Sequence, residues 1–173
     1  ETLSVSRRVF PLEQELPSSG DGSIVNSYSN NETSVNLVDN GTYFSELTVN
    51  EAFSLLDVDV ELMITHERPS DLAVFLSNPD DSVRVDLFNG VAGSNGSLGF
   101  VNTVFSDEAP TSIELGLAPY TGTFSPSGDL TLFEGLSSNG AWTLEVQDTK
   151  NNKVGTLESW SLILIRDDAH IFK

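Results

Sequence analysis

One short run constrains this chain more than any other. In Leu56–Ile64 (LDVDVELMI), Val58, Val60 and Leu62 fall on one face and Asp57, Asp59 and Glu61 on the other. A period of two marks an extended strand with one buried face; a helix cannot sort these residues that way. The three acids are therefore expected on a solvated face. Further short extended segments follow the same pattern: SELTV (45–49), DLAVFLS (71–77), SVRVDLF (82–88), FVNTVF (100–105), TGTFSP (121–126), DLTLFEG (129–135), WTLEVQD (142–148) and TLESWSLILI (156–165). Turn chemistry separates them: SNPDD with Pro79 fixing φ, the Gly-rich stretch Asn89–Gly99, and KNNKVG. Only IELGLA (113–118) suggests a helical turn. Evenly spaced short strands of this kind predict an all-β fold, a jelly-roll β-sandwich of about eight antiparallel strands. Residues 1–35, rich in Ser, Asn, Gly and Pro, read as a linker or leader with little regular structure beyond one strand around Ser23–Ser27. The sandwich is expected over 36–173.

Charge narrows the choice of partner. Asp and Glu number 26 against 8 Lys and Arg, a net charge of −18. Nucleic acid needs cationic side chains and anionic lipid repels a polyanion, so neither is an expected partner. There is no run of about 18 apolar residues to insert in a membrane, and ETLSVSRRVF at the start has no apolar signal-peptide core. Most of the acids serve solubility.

Catalytic chemistry is sparse. The chain has no Cys, which removes disulfides, thiol nucleophiles and thiolate metal sites. Its two histidines, His66 and His170, sit in no zinc-ligand spacing, and no Ser lies in a Gly-x-Ser-x-Gly elbow. The Gly-rich loop joins strands and lacks Lys, so it is not a phosphate cradle. The chain is expected not to be an enzyme. What remains is a hard cation: calcium takes six to eight oxygens from carboxylates, carbonyls and water. The acids at strand ends, Asp71, Asp107, Glu108 and Asp148, are the candidate ligands, with turn capping as the ordinary alternative. Trp142 and Trp160 are expected in the core, with a carbohydrate-stacking platform as the minority reading.

Several motifs occur in a specific order. ITHERPSDLAVFLSNP (64–79) is followed by DLFNGVAGSNGSLGFVNTVFSDEA (86–109), TGTFSP (121–126), LTLFEGLSSNGAWTLEVQD (130–148) and GTLESWSLIL (155–164), all preceded by LVDNGTYFSELTV (37–49). This series resembles the P-domain (Homo B domain) that follows the catalytic domain in kexin- and furin-type proprotein convertases, most of all its bacterial versions. The resemblance implies a non-catalytic accessory β-sandwich in a secreted, extracellular or periplasmic setting, with neighbouring domains of a larger protein as partners. It implies calcium, carried over to Asp71, Asp107, Glu108 and Asp148. A carbohydrate- or protein-binding jelly-roll module is the alternative. The chain departs from the pattern where relatives carry an Asp near the end of the Gly-rich loop; Ser97 and Leu98 stand here. NET (31–33), NGT (40–42) and NGS (95–97) match the N-glycosylation pattern.

Overall fold

The computed structural model describes residues 22–30, 34–91 and 98–168. The leader residues 1–21, His170, and the sequons at Asn31 and Asn95 lie outside them, as does most of the Gly-rich loop. Among the described residues ten strands form two sheets. The larger sheet contains β1 (Ser23–Asn30), the two-residue β2 (Val35–Asn36), β4 (Asp57–His66), β7 (Phe100–Phe105), β8 (Tyr120–Phe124) and β10 (Gly155–Asp167), in the order β1-β10-β4-β7-β8, with β2 also on β10. The smaller sheet contains β3 (Thr42–Val49), β5 (Leu72–Ser77), β6 (Arg84–Asn89) and β9 (Gly140–Asp148), in the order β3-β9-β5-β6. This is the expected all-β sandwich.

The alternation read in the sequence sets the layers. Val58, Val60, Leu62 and Ile64 of β4 are fully buried, as are Leu162 and Leu164 of β10. They meet Leu47 and Val49 of β3 and Leu144 and Val146 of β9 in one continuous core. Aromatic rings fill its wider part: Phe88 stacks on Phe100 at 4.2 Å, Phe100 on Tyr120 at 4.8 Å, and Phe133 meets Trp142 edge-on at 5.2 Å. Trp160 crosses from the larger sheet to the smaller one, where its indole N–H donates to Ser45 Oγ at 2.9 Å. Both tryptophans are buried, so neither offers a surface for a sugar.

Three details differ from the sequence reading. One strand pair, β7–β8, is parallel. Residues 106–119 carry the chain back across before β8 begins, the length of connection that a parallel pair requires. DLTLFEG is not a strand but a 3₁₀ turn at Leu130–Phe133. Asp129 caps that turn by accepting from Thr131 N–H at 3.0 Å, a local bond that outcompetes extension. The strand expected around Ser23–Ser27 within 1–35 runs on to Asn30 and is an edge strand of the larger sheet: β1 pairs with β10 from Ser23↔Asp167 to Asn30↔Trp160. Its polar composition conceals a core face of Ile24, Asn26 and Tyr28, each opposite a residue of β10 with the same inward parity. The helical turn suggested at 113–118 forms as a 3₁₀ turn, Ile113–Leu115.

Candidate metal centre

β4 and β7 run antiparallel, with Val60 opposite Phe105. The chain leaving β7 therefore emerges beside the first residues of β4, and Ser106–Glu108 fold over the outer face that carries Asp57 and Asp59. One carboxylate oxygen from each of Asp57, Asp59 and Glu108 lies within 4.8 Å of the others. Asp107 stands next to them, its Oδ2 accepting from Thr131 N–H at 2.8 Å. Ser106 Oγ donates to Glu108 Oε2 at 2.8 Å and fixes that side chain.

The electrostatics are unfavourable to three bare carboxylates. Burial, with the charges of Asp57, Glu108 and Asp107 added, pushes the Asp59 carboxyl up to about 6 despite a hydrogen bond from Ser106. Burial and then the Glu108 charge also raise Asp57. Asp107 is raised chiefly by burial. Among the described residues the ion pairs are His66–Asp148, Arg68–Asp71 and Arg84–Glu145, so no cation reaches this cluster. Asp59 Oδ1 is buried and has no hydrogen-bond partner. A buried anionic oxygen without a donor is costly. An oxygen-only ligand set around such an atom suits a hard divalent cation, calcium in particular.

The other two expected ligands lie elsewhere. Asp71 and Asp148 sit at the opposite end of β4, whose ten residues span roughly 30 Å at about 3.3 Å each. There Leu72 pairs with Asp148 across β5 and β9. Asp148 Oδ2 lies 3.2 Å from His66 Nε2, and Asp148 Oδ1 accepts from Lys150 N–H at 3.1 Å. Asp71 Oδ2 accepts from Arg68 Nε at 2.6 Å. Both carboxylates are buried but furnished with donors from the protein itself, so this corner is a structural knot. The four acids thus do not converge: Asp107 and Glu108 belong to one end, Asp71 and Asp148 to the other. Asp57 and Asp59 are the residues the sequence reading assigned to solvent. Its only signal for them was their place at the start of the strand rather than its middle.

His66 is not arranged for catalysis. Its Nδ1 accepts from Arg68 N–H at 3.0 Å while Nε2 faces Asp148, and the side chain is fully buried. Both ring nitrogens are occupied by structural partners, and no hydroxyl nucleophile is among them.

Comparison with known proteins agrees with this architecture. No curated protein shows significant sequence similarity to the chain. Two crystal structures of the serine protease of Aeromonas sobria, one of them with its chaperone, share the fold. In the chaperone complex the identity is 20%, the TM-score 0.55, and the match covers 84% of this chain and 27% of that one. In the other the identity is 21%, the TM-score 0.55, and the match covers 87% and 28%. The chain thus spans little more than a quarter of those proteins. The family model "Proprotein convertase P-domain" matches residues 55–164, from the residue before the alternating β4 region to Leu164 of β10. With a sandwich of the right layers and a family match over well more than half of its 173 residues, the chain belongs to the proprotein convertase P-domain family.

Proposed function

We propose that this chain is the non-catalytic accessory domain of a larger secreted protein of the subtilisin-like protease type, and that calcium held by Asp57, Asp59 and Glu108 completes its fold. Family membership supports the accessory role, as does a core that leaves no His paired with a nucleophile among the described residues. The structural neighbours support a larger parent, because this fold is only a quarter of each of them. The observation that carries the calcium reading is Asp59 Oδ1, buried without a donor beside two further carboxylates.

A bound calcium ion would offset two of the three negative charges of these mutually repelling carboxylates and tie the β7–β8 crossover to β4. In a domain without disulfides this is a direct contribution to stability. Metal that binds only the folded state adds about 2.7 kcal/mol at a hundredfold excess over Kd, or about 5–10 °C in Tm for a domain of this size. The test is thermal unfolding of the chain in EDTA and then in millimolar calcium at pH 7.5. The reading expects a rise of that order; an unchanged Tm counts against calcium at any site.

A further inference from the structure

The acidic cluster at the start of β4 supplies fewer oxygens than a calcium ion takes. Asp57 Oδ1 already accepts from Val58 N–H at 2.7 Å, and Glu108 Oε2 accepts from Ser106 Oγ at 2.8 Å. Each of these side chains has its second oxygen left for a cation, and Asp59 adds Oδ1, which has no donor. One ligand atom from each of the three residues comes within 4.8 Å of the others. Asp107 stands outside that group, its Oδ2 turned to Thr131 N–H at 2.8 Å. The nearby Ser106 carbonyl is engaged too, accepting from Ala109 N–H at 3.1 Å. Calcium takes about six to eight oxygens, so about half of its coordination comes from groups other than these three carboxylates. Glu108 is exposed and Asp57 and Asp59 are half-buried, so solutes reach the cluster.

Charge and hydrogen-bonding capacity decide what fills the remaining positions. A calcium ion offsets only two of the three carboxylate charges, and Asp107 and Glu134 lie close enough for their charges to act on Asp57 as well. Among the described residues no ion pair brings a cation to the cluster. A carboxylate or phosphate ligand is therefore repelled. The surroundings are rich in acceptors, so a neutral ligand gains most if it also brings donors. A peptide carbonyl can coordinate a cation but has no proton to give, and in a trans peptide the N–H points away from it. A hydroxyl does both: a lone pair goes to the cation and its O–H to a carboxylate oxygen. Two hydroxyls on neighbouring carbons fill two positions in one binding event, already fixed relative to each other.

We propose, resting on the calcium reading above, that the site of Asp57, Asp59 and Glu108 is a calcium-dependent carbohydrate-binding site whose ligand is an uncharged sugar with free vicinal hydroxyls. The diol takes the coordination positions that the three carboxylates leave open, and its protons go to the acidic side chains around the cation. Recognition of this kind needs no aromatic platform, so it is compatible with Trp142 and Trp160 being buried in the core.

The test is an NMR titration of the full ¹⁵N-labelled chain with methyl α-mannopyranoside, methyl β-galactopyranoside and methyl α-fucopyranoside, which present differently arranged diols, in millimolar calcium and in EDTA. At least one glycoside is expected to shift the Ser106–Glu108 amides to saturation in calcium and to leave them unmoved in EDTA. Its fully O-methylated derivative, and acetate, should shift them in neither buffer. Glu108→Ala, a change at an exposed side chain, should lose the response at a calcium concentration that saturates wild type. The calcium melt separates the two claims. If calcium raises Tm but no glycoside moves these amides, the carbohydrate site is overturned and the calcium site stands; if calcium leaves Tm unchanged, both fall. An equal response in EDTA, to the O-methylated sugar or to acetate, also overturns the proposal, as does an undiminished response in Glu108→Ala.

Discussion

Replacing Asp59 by Asn should make the calcium-free domain more stable at pH 8. The substitution keeps the side chain's shape and removes its charge. In the folded chain burial raises the Asp59 carboxyl from 3.8 to about 6, so the folded state disfavours the ionised form. The unfolded chain ionises near 3.8 and the folded one near 6. Below the lower value neither state carries the charge and there is no penalty. Between the two the calcium-free protein loses stability as pH rises, and above the upper value the whole penalty is present. The shift sets a ceiling of roughly 3 kcal/mol. Part of the carboxyl remains in contact with solvent, which reduces this to about 1–2 kcal/mol, or about 3–6 °C in Tm. Differential scanning calorimetry in EDTA at pH 8 and pH 4 measures it. Asp59→Asn is expected to melt above wild type at pH 8 and above it by only a small fraction of that difference at pH 4, where the folded carboxyl is protonated and the unfolded one is only partly ionised, and calcium at pH 8 should reverse the order. A variant that melts below wild type in EDTA at pH 8 would refute the reasoning, because Asp59 would then be making favourable contacts as an anion.

Three further outcomes follow from the packing. Trp160→Ala removes a buried indole and its hydrogen bond to Ser45, and should cost about 3–5 kcal/mol in urea unfolding. His66→Ala leaves Asp148 buried with one backbone donor; it should cost about 3 kcal/mol or more while calcium affinity stays unchanged, since the pair lies at the far end of β4. Gly99→Ala should destabilise by more than about 2 kcal/mol, because φ is +86° and a Cβ would stand 2.3 Å from Ile64 O; thermal melts of the variant check it.

The sandwich was legible in the sequence wherever one face is apolar. β4, β5, β7, β9 and β10 sit where alternation or a short apolar run places them, because burial on one side forces that pattern. β1 was only partly legible, since its inward row includes Asn26 and Asn30 and its outward row is serine apart from Val25. The 3₁₀ turn at Leu130–Phe133 carries an apolar run that also suits a strand, and only the Asp129 cap distinguishes them. The acidic site was half visible. Glu108 follows from its place at a strand end, but Asp57 and Asp59 alternate with core valines as any solvated pair would. Only the fold shows that Ser106–Glu108 close over them. The same limit explains Asp71 and Asp148: strand-end acids look alike in sequence, and the donors that satisfy these two come from Arg68, His66 and Lys150.

A crystal structure of the chain grown in calcium tests the central claim most directly. The account predicts one ion at the start of β4, with strong anomalous density and carboxylate oxygens of Asp57, Asp59 and Glu108 at about 2.3–2.6 Å. No ion at that cluster, or an ion held instead by Asp71 and Asp148, would contradict it.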